Sequence, residues 1–217
     1  CRGTEPGWAQ LDIQYADFSS WQRQWLTGEV LEEQLAYWRR QLAAAPAALD
    51  LPTDRPRPAQ HRMRGGRLAF ATTAGLADGL RGLARQEGAT LFMALLALTA
   101  TLLRRDSGQE KLILGANNAN RNRPEIEPVL GCFLTQVPFP IDLAGDPSFR
   151  ELLARVRQSA LGSYAHQDLP FGQLVQAVEL PRDPSRQPLI QTLVQALDAQ
   201  YSPSTSAEFA SEAIDAW

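Results

Sequence analysis

The spacing of apolar residues predicts helices in the first half of the chain. Apolar side chains recur three or four residues apart through residues 14–26 and again through residues 30–44, which is the period of one helix face. A third run places leucines on one helix face from Leu76 onward and is followed by Gly88, a residue suited to ending a helix. These patterns predict three amphipathic helices.

Further helices are indicated by residues suited to capping. Thr90 precedes a run that is apolar nearly all round to about Leu103, so this helix is expected to lie at the centre of the fold. The segment 146–148, Asp-Pro-Ser, has Glu151 at capping-box spacing and predicts the start of another helix. A shorter apolar pattern after Pro170 predicts a last helix.

Runs of strand-forming residues predict strands over residues 67–72, 111–116 and 133–142. Two prolines in the third run indicate an edge strand or an irregular one. A last apolar segment, 189–197, is a further candidate strand. Because helices and strands alternate along the chain, the fold class is predicted to be α/β.

One proline-rich segment is predicted to be neither helix nor strand. Residues 51–58 read Leu-Pro-Thr-Asp-Arg-Pro-Arg-Pro. Each proline fixes its backbone angle φ and lacks a backbone donor, so we expect a strap that lies extended over the surface.

Composition excludes several classes of protein. The 217 residues include 21 Lys and Arg against 24 Asp and Glu, so the net charge of -3 argues against binding nucleic acid by bulk positive charge. No apolar run reaches the roughly 20 residues that cross a bilayer, and a cytoplasmic location without membrane contact is expected. Cys1 and Cys132 suggest neither a disulfide framework nor a zinc site, and Cys132, inside an apolar run, is expected to be buried.

The sequence lacks the common catalytic motifs. It contains no phosphate-binding loop, dinucleotide fingerprint, G-x-S-x-G or C-x-x-C. It has two histidines, too few and too far apart to predict a metal site. His61 lies in an arginine-rich stretch and is interpreted as a solvated surface residue. His166 could orient a loop or act as a base.

Residues 115–127 are rich in asparagine and arginine and follow a predicted buried strand directly. Polar groups placed where a strand emerges often line a site. Asparagine also favours turns for local reasons. The composition alone leaves both interpretations open.

Several segments together resemble the condensation domains of nonribosomal peptide synthetases. The resemblance covers nearly the whole chain, and its motifs occur in the family's order. They are Gln14-Tyr15-Ala16-Asp17-Phe18, Tyr37-Trp38, the strap 51–58, Thr90-Leu91-Phe92-Met93, Ala119-Asn120-Arg121, Leu130-Gly131-Cys132-Phe133, His166-Gln167-Asp168-Leu169-Pro170-Phe171 and Arg182-Asp183-Pro184-Ser185-Arg186.

Two departures from the family pattern affect what the resemblance implies. The catalytic signature of the family, His-His-x-x-x-Asp-Gly, should precede Gln14 and is absent, so no catalytic residue is expected in this chain and the chain alone is predicted to be inactive. Residues 133–136 read Phe-Leu-Thr-Gln where the family usually has Phe-Val-Asn-Thr. Condensing, starter and epimerising relatives therefore stay open as alternatives. A different acyltransferase of the same superfamily, one that forms esters, is a further alternative.

The resemblance implies a chloramphenicol-acetyltransferase-like α/β fold with a mixed sheet packed with helices. Residues 1–200 would form the C-terminal lobe, incomplete at its end, and residues 201–217 a poorly ordered tail. The implied partners are donor and acceptor carrier proteins, which present substrates on phosphopantetheine, and the N-terminal lobe; no directly bound cofactor or metal is expected. A non-catalytic half-domain that docks carriers or a partner lobe is the alternative.

The resemblance also implies roles for particular residues. Arg121, with Asn120 beside it, matches the arginine that pairs with the aspartate of the missing signature and so supports the active site. A solvated surface arginine is the alternative. The motif residues that would line the tunnel or fix loops are His166, Asp168, Asp183 and Arg186, the last two as a local ion pair.

Overall fold

The computed structural model describes residues 10–46, 48–60, 65–178 and 183–197. Every helix predicted from the apolar spacing and capping residues is found, and the apolar helix α4 runs a few residues beyond its predicted end. The elements are α1 Tyr15–Trp25, α2 Gly28–Leu42, α3 Ala74–Gln86, α4 Leu91–Ser107, β1 Lys111–Asn118, a short 3-10 turn Pro124–Ile126, β2 Thr135–Asp142, α5 Phe149–Ala165 and α6 Phe171–Ala177.

The sheet is mixed and centred on β1. β2 runs antiparallel to β1, with Lys111 opposite Asp142. On the other side of β1, Gly115 donates its N–H to the carbonyl of Thr192 at 2.9 Å, and its own carbonyl accepts from Val194 at 2.8 Å in a parallel bridge. The last apolar segment therefore contributes a bridge and not a full strand. Among the described residues β2 pairs only with β1, which confirms the edge position that its prolines indicated.

Helix α4 lies at the centre of the core, as predicted. It packs against α3, α5 and β1. The Thr90 hydroxyl accepts the Met93 N–H at 3.2 Å and caps the first turn. Gly108 ends the helix with φ at 71°, a left-handed conformation that glycine adopts without strain. The residues of α4 that solvent does not reach are Ala94, Leu96, Ala97 and Ala100.

No single helix in the described ranges is long and apolar enough to cross a membrane. Helices α3 and α4 reach that length only as a pair, and they meet at 107°. Much of the apolar surface of α4 is instead buried in the core, whereas Leu98 and Leu102 face outward and are exposed.

The predicted strand over residues 67–72 is wrong. This segment is neither helix nor strand, and its two large apolar side chains, Leu68 and Phe70, are 87% and 86% exposed. In the part of the chain that the structure describes, no strand lies beside it to form a ladder. A strand is stabilised by packing against cross-strand neighbours, so strand-forming residues alone do not produce a strand in this segment.

The proline strap is confirmed to be non-helical. Its side chains are exposed, so apolar burial contributes little to its placement. The Arg57 guanidinium reaches out of it to the carbonyl of Ser185 at 3.4 Å. This contact ties the strap to the segment that follows residue 182.

Gly115→Ala is expected to lower the free energy of unfolding by about 1–3 kcal/mol, because overpacking a filled core forces side chains to shift. A methyl group there would come within 2.5 Å of Ile190 Cγ2, in the buried contact between β1 and the last segment. Gly79→Ala is the control: its methyl group meets nothing within 4 Å on exposed α3 and should be neutral or stabilising. Urea unfolding of both variants checks this, and equal midpoints would contradict it.

Candidate functional site

A cleft of about 410 Å³ opens where α1, the end of β1, the start of β2 and the α5–α6 segment meet. One part of its lining is aromatic, and another carries side-chain amides. The lining residues are Tyr15, Phe18, Gln22, Asn120, Cys132, Phe133, Leu134, Thr135, Gln136, Gln167, Asp168, Pro170, Phe171 and Gly172. Of the sequence-predicted site residues, Asn120 and Asp168 line it.

Arg121 holds the loop that leads into this lining. Its guanidinium lies 4.4 Å from the centre of the Phe133 ring. None of the ion pairs among the described residues includes Arg121. The guanidinium instead donates to four backbone carbonyls, at 2.5, 3.1, 2.9 and 3.3 Å: those of Ile126, Glu127, Val129 and Gly131.

Helix α1 docks on the same loop through Tyr15. The Tyr15 hydroxyl donates to the carbonyl of Cys132 at 2.9 Å, and its ring meets the Phe133 ring edge-on at 5.0 Å. Gly131 permits this approach, since a Cβ there would lie 2.7 Å from Tyr15 Cγ. Phe18 packs against the small apolar cluster beneath the loop.

The expected burial of Cys132 is wrong, because its side chain is exposed. The neighbouring Phe133 takes the inward position and is 5% exposed. Consecutive side chains of an extended backbone point to opposite sides, so the residue before a buried Phe133 faces outward. The apolar run around Cys132 did not reveal this alternation.

Side-chain amides organise the end of β1. Asn118 donates from Nδ2 to Oε1 of Gln167 and accepts the backbone N–H of Asn120 at 2.8 Å. Asn120 adopts a left-handed turn with φ at 53°. Its side chain is 9% exposed, and its Oδ1 is buried without a hydrogen-bond partner. The segment is thus both a turn and part of the cleft lining, which unites the two alternatives that composition left open.

His166 ends α5 and faces α2, and it is not among the residues that line the cleft. Its ring stacks on the Tyr37 ring, with 3.7 Å between the ring centroids and 3° between the ring planes. Its Nδ1 lies 2.9 Å from the carbonyl oxygen of Gly162. The indole N–H of Trp38 donates to the His166 carbonyl at 2.9 Å. These contacts support the alternative in which His166 orients the loop that carries Asp168.

Asp183 and Arg186 form the ion pair expected from the last motif, at 3.3 Å, away from the cleft lining. Arg186 also donates to the carbonyl of Leu49 at 2.8 Å. Asp183 accepts from the hydroxyl and the backbone N–H of Ser185 at 2.6 and 2.8 Å. These hydrogen bonds from Ser185, with the Arg186 charge adding to them, hold the pKa of Asp183 below its usual value.

Comparison with known proteins then decides the family. Residues 5–216 match the Condensation domain family. The chain belongs to the condensation domain family. The match runs past residue 200, and the division there stays a prediction because residues 201–217 lie outside the described ranges.

The relatives of this condensation-domain chain include peptide synthetases. The chain is 52% identical over 192 residues to a linear gramicidin synthase of Brevibacillus parabrevis, covering 88% of this chain and 2% of that protein. It is 43% identical over 189 residues to the phosphinothricin tripeptide synthetase PhsC of Streptomyces viridochromogenes, covering 87% of this chain and 17% of that protein. The chain thus spans a small part of these relatives.

Solved structures confirm the fold class. The X-domain from teicoplanin biosynthesis superimposes with a TM-score of 0.82 and 31% identity, covering 89% of this chain and 44% of that chain. The four-domain nonribosomal peptide synthetase AB3403 superimposes with a TM-score of 0.77 and 28% identity, covering 85% of this chain and 14% of that chain. The condensation-domain fold is therefore the fold of this chain.

Sequence reasoning missed part of the cleft of this condensation-domain chain. Tyr15, Phe18 and Gln136 were not singled out, although they lie inside or beside motifs that carried the resemblance. Their common membership in those motifs was the available signal. His61 lies outside the described residues. The described part of the chain contains no group of three or more His, Cys, Asp or Glu that could hold a metal ion.

Asp183→Asn is expected to lower stability at neutral pH, because the variant loses the ion pair and weakens the bonds from Ser185. Since the folded-state pKa of Asp183 lies below its ordinary value of 3.8, the carboxylate stabilises the fold above that value, and this contribution is lost as the pH falls through the folded pKa. Urea unfolding from neutral to acidic pH checks this. A difference between wild type and variant that does not shrink on acidification would contradict it.

Proposed function

We propose that this chain is the C-terminal lobe of a nonribosomal peptide synthetase condensation domain, which joins two carrier-bound groups through an amide bond. One observation carries the proposal: segments far apart in sequence, each part of a family motif, meet around one cleft. They come from α1, the end of β1, the start of β2 and the segment before α6. The 44% coverage of the X-domain chain supports assignment to one lobe of two.

In the proposed reaction, the amine of the acceptor attacks the carbonyl carbon of the donor thioester. The C–N bond forms, the C–S bond breaks, and the proton lost by nitrogen leaves with the thiol. Both substrates arrive on phosphopantetheine arms of carrier proteins, so the domain itself needs no bound cofactor. The proposal places the domain and its carriers in the cytoplasm.

In that reaction, this lobe forms one wall of the substrate cleft and holds that wall in place. Its described residues place no histidine in the cleft lining, so the group that handles protons is proposed to come from the signature of the N-terminal lobe. Arg121 fixes the loop that carries Phe133, and Asn120 turns the chain at the cleft. We therefore propose that the chain alone is inactive and that the complete domain is the enzyme.

A docking role is the second candidate function, and one relative favours it. A structure of the X-domain in complex with OxyB from teicoplanin biosynthesis superimposes with a TM-score of 0.83 and 32% identity. A domain of this fold is thus known in a complex with another protein. In that role this chain would bind a carrier or a partner lobe without any transfer.

Blocking the cleft tests the proposed function. In the intact domain, Gly172→Trp is expected to reduce amide formation between two loaded carriers by about tenfold or more. The indole would displace a substrate in the cleft, and the reaction rate falls steeply when reacting groups are misplaced by about an ångström. A Cβ at Gly172 meets nothing within 4 Å, so the fold should tolerate the change. Gly79→Trp on exposed α3 is the matched control. Unchanged transfer by Gly172→Trp would contradict the site, and carrier binding without any transfer by wild type would favour docking.

A further inference from the structure

The cleft contains a carboxylate without a cation. Asp168 is the only charged residue among the described residues that line it. Its side chain is partly buried, and no hydrogen bond or ion pair to it is found in the described ranges. A carboxylate that is partly withdrawn from water loses hydration, and an incoming cation compensates for that loss.

A second unsatisfied acceptor lies in the same lining. Asn120 is only 9% exposed, and its Oδ1 is buried without a hydrogen-bond partner among the described residues. Buried polar atoms of this kind are rare in folded proteins and call for a partner. Two neighbouring amides are already engaged: Gln167 accepts from Asn118, and Gln136 donates to Asn117 at 3.5 Å.

The chemistry of these groups specifies the occupant. A carboxylate and an amide oxygen both accept hydrogen bonds, so a complementary ligand brings N–H donors. A ligand with a positive charge at those donors also balances Asp168, since a charged hydrogen bond is stronger than a neutral one. An ammonium group meets both requirements, whereas a carboxylate or phosphate meets neither.

We infer that Asp168 is a specificity-determining residue that pairs with the α-ammonium group of an aminoacyl acceptor in this cleft. The inference rests on the proposed function and deepens it, because it assigns the cleft to the amine-bearing substrate. Asn120 belongs to the same lining, and its unpartnered Oδ1 is a second acceptor just beneath the cleft surface. The aromatic side chains of the lining, such as Phe171, surround the rest of the group.

Asp168 acts here by binding and not as the base. The ammonium group first loses one proton to water and becomes an amine. The amine nitrogen then attacks the thioester carbon, the C–S bond breaks, and the second proton leaves with the thiol. The carboxylate captures and orients the acceptor before this sequence begins, so its loss should affect affinity for the acceptor first.

A matched pair of unreactive ligands tests this in the intact domain. Alanyl-aminopantetheine and lactyl-aminopantetheine, both joined by an amide in place of the thioester, differ only in an ammonium group against a hydroxyl group. Wild type should bind the alanyl ligand about tenfold more tightly in calorimetric titration, as expected for a hydrogen bond to a charged group. Asp168→Asn should abolish this preference, and Asp168→Glu should keep part of it.

The controls separate recognition from structure. Asp78→Asn removes one carboxylate from exposed α3, where Asp78 pairs with Arg81, and should leave the preference unchanged. In wild type the preference should fade as the pH rises through about 8, where an α-amino group loses its proton. Equal affinity of wild type for both ligands, or failure to bind either, would overturn the inference. Equal weakening of both ligands by Asp168→Asn would also overturn it and assign Asp168 to fixing its own loop.

The binding assay does not depend on turnover. If amide formation fails in the intact domain while the ammonium preference holds, the proposed function is wrong and the acceptor site stands. If transfer proceeds and the preference for the ammonium ligand is missing, the proposed function stands and the role of Asp168 is wrong.

Discussion

Arg121→Ala in the intact condensation domain is expected to lower single-turnover amide formation about a hundredfold, which corresponds to about 2.7 kcal/mol of activation free energy. The guanidinium holds four carbonyls of the loop that ends in Phe133, and alanine releases all of them. In the complete domain it would also lose the proposed aspartate of the catalytic signature. Binding of loaded carriers should change by less than about twofold, since the affected loop lines the proposed substrate cleft.

Substitution by lysine separates geometry from charge at this position. Arg121→Lys should rescue the transfer only in part, because an ammonium group cannot reproduce the planar, multi-pronged contacts of a guanidinium. Arg123→Ala is the matched control, since Arg123 lies over the Trp21 ring at 4.4 Å. The side-chain hydrogen bonds to these loop carbonyls that the described residues show come from Arg121. Full activity in Arg121→Ala would mean that it is only a surface arginine.

Trp38→Ala is expected to lower the free energy of unfolding by about 3–5 kcal/mol, as removal of a buried tryptophan does elsewhere. Trp38 is 1% exposed, lies in the main core and donates to the carbonyl of His166. Trp38→Phe keeps most of the volume and leaves that carbonyl without its donor, so a smaller loss of about 1–3 kcal/mol is expected.

Trp21→Ala is the control for this series, because Trp21 is 37% exposed and stacks on Trp25 at the surface of α1. Trp21→Ala is expected to lower the free energy of unfolding by less than about 1.5 kcal/mol, the upper end of what one aromatic pair contributes. Urea unfolding of the three variants gives the comparison. Equal stability of Trp38→Ala and Trp21→Ala would contradict the assignment of Trp38 to the core that supports residues 166–171.

The helices could be predicted because their signals are local. Ser148 and Glu151 form the expected capping box, and Thr90 caps α4 as predicted. The failures concern features that depend on distant residues. Residues 67–72 have strand-forming composition and no neighbouring strand among the described residues, and Cys132 is exposed because Phe133 takes the buried position.

The candidate site was predictable only in part, for the same reason. The motifs identified Asn120 and Asp168, both of which line the cleft. The hydroxyl of Tyr15 reaches the carbonyl of Cys132 across 117 positions of sequence, and no local pattern indicates such a contact. The carbonyl partners of Arg121 depend likewise on how the loop folds back, which the sequence motif does not specify.

The most direct test of the central proposal compares this chain alone with the complete condensation domain. Donor and acceptor carriers loaded with their substrates are mixed with either protein, and the amide product is measured by mass spectrometry in a single turnover. We expect product from the complete domain and only the uncatalysed background from this chain. Amide formation by this chain alone, or none by the complete domain, would contradict its assignment as the supporting lobe of a condensing enzyme.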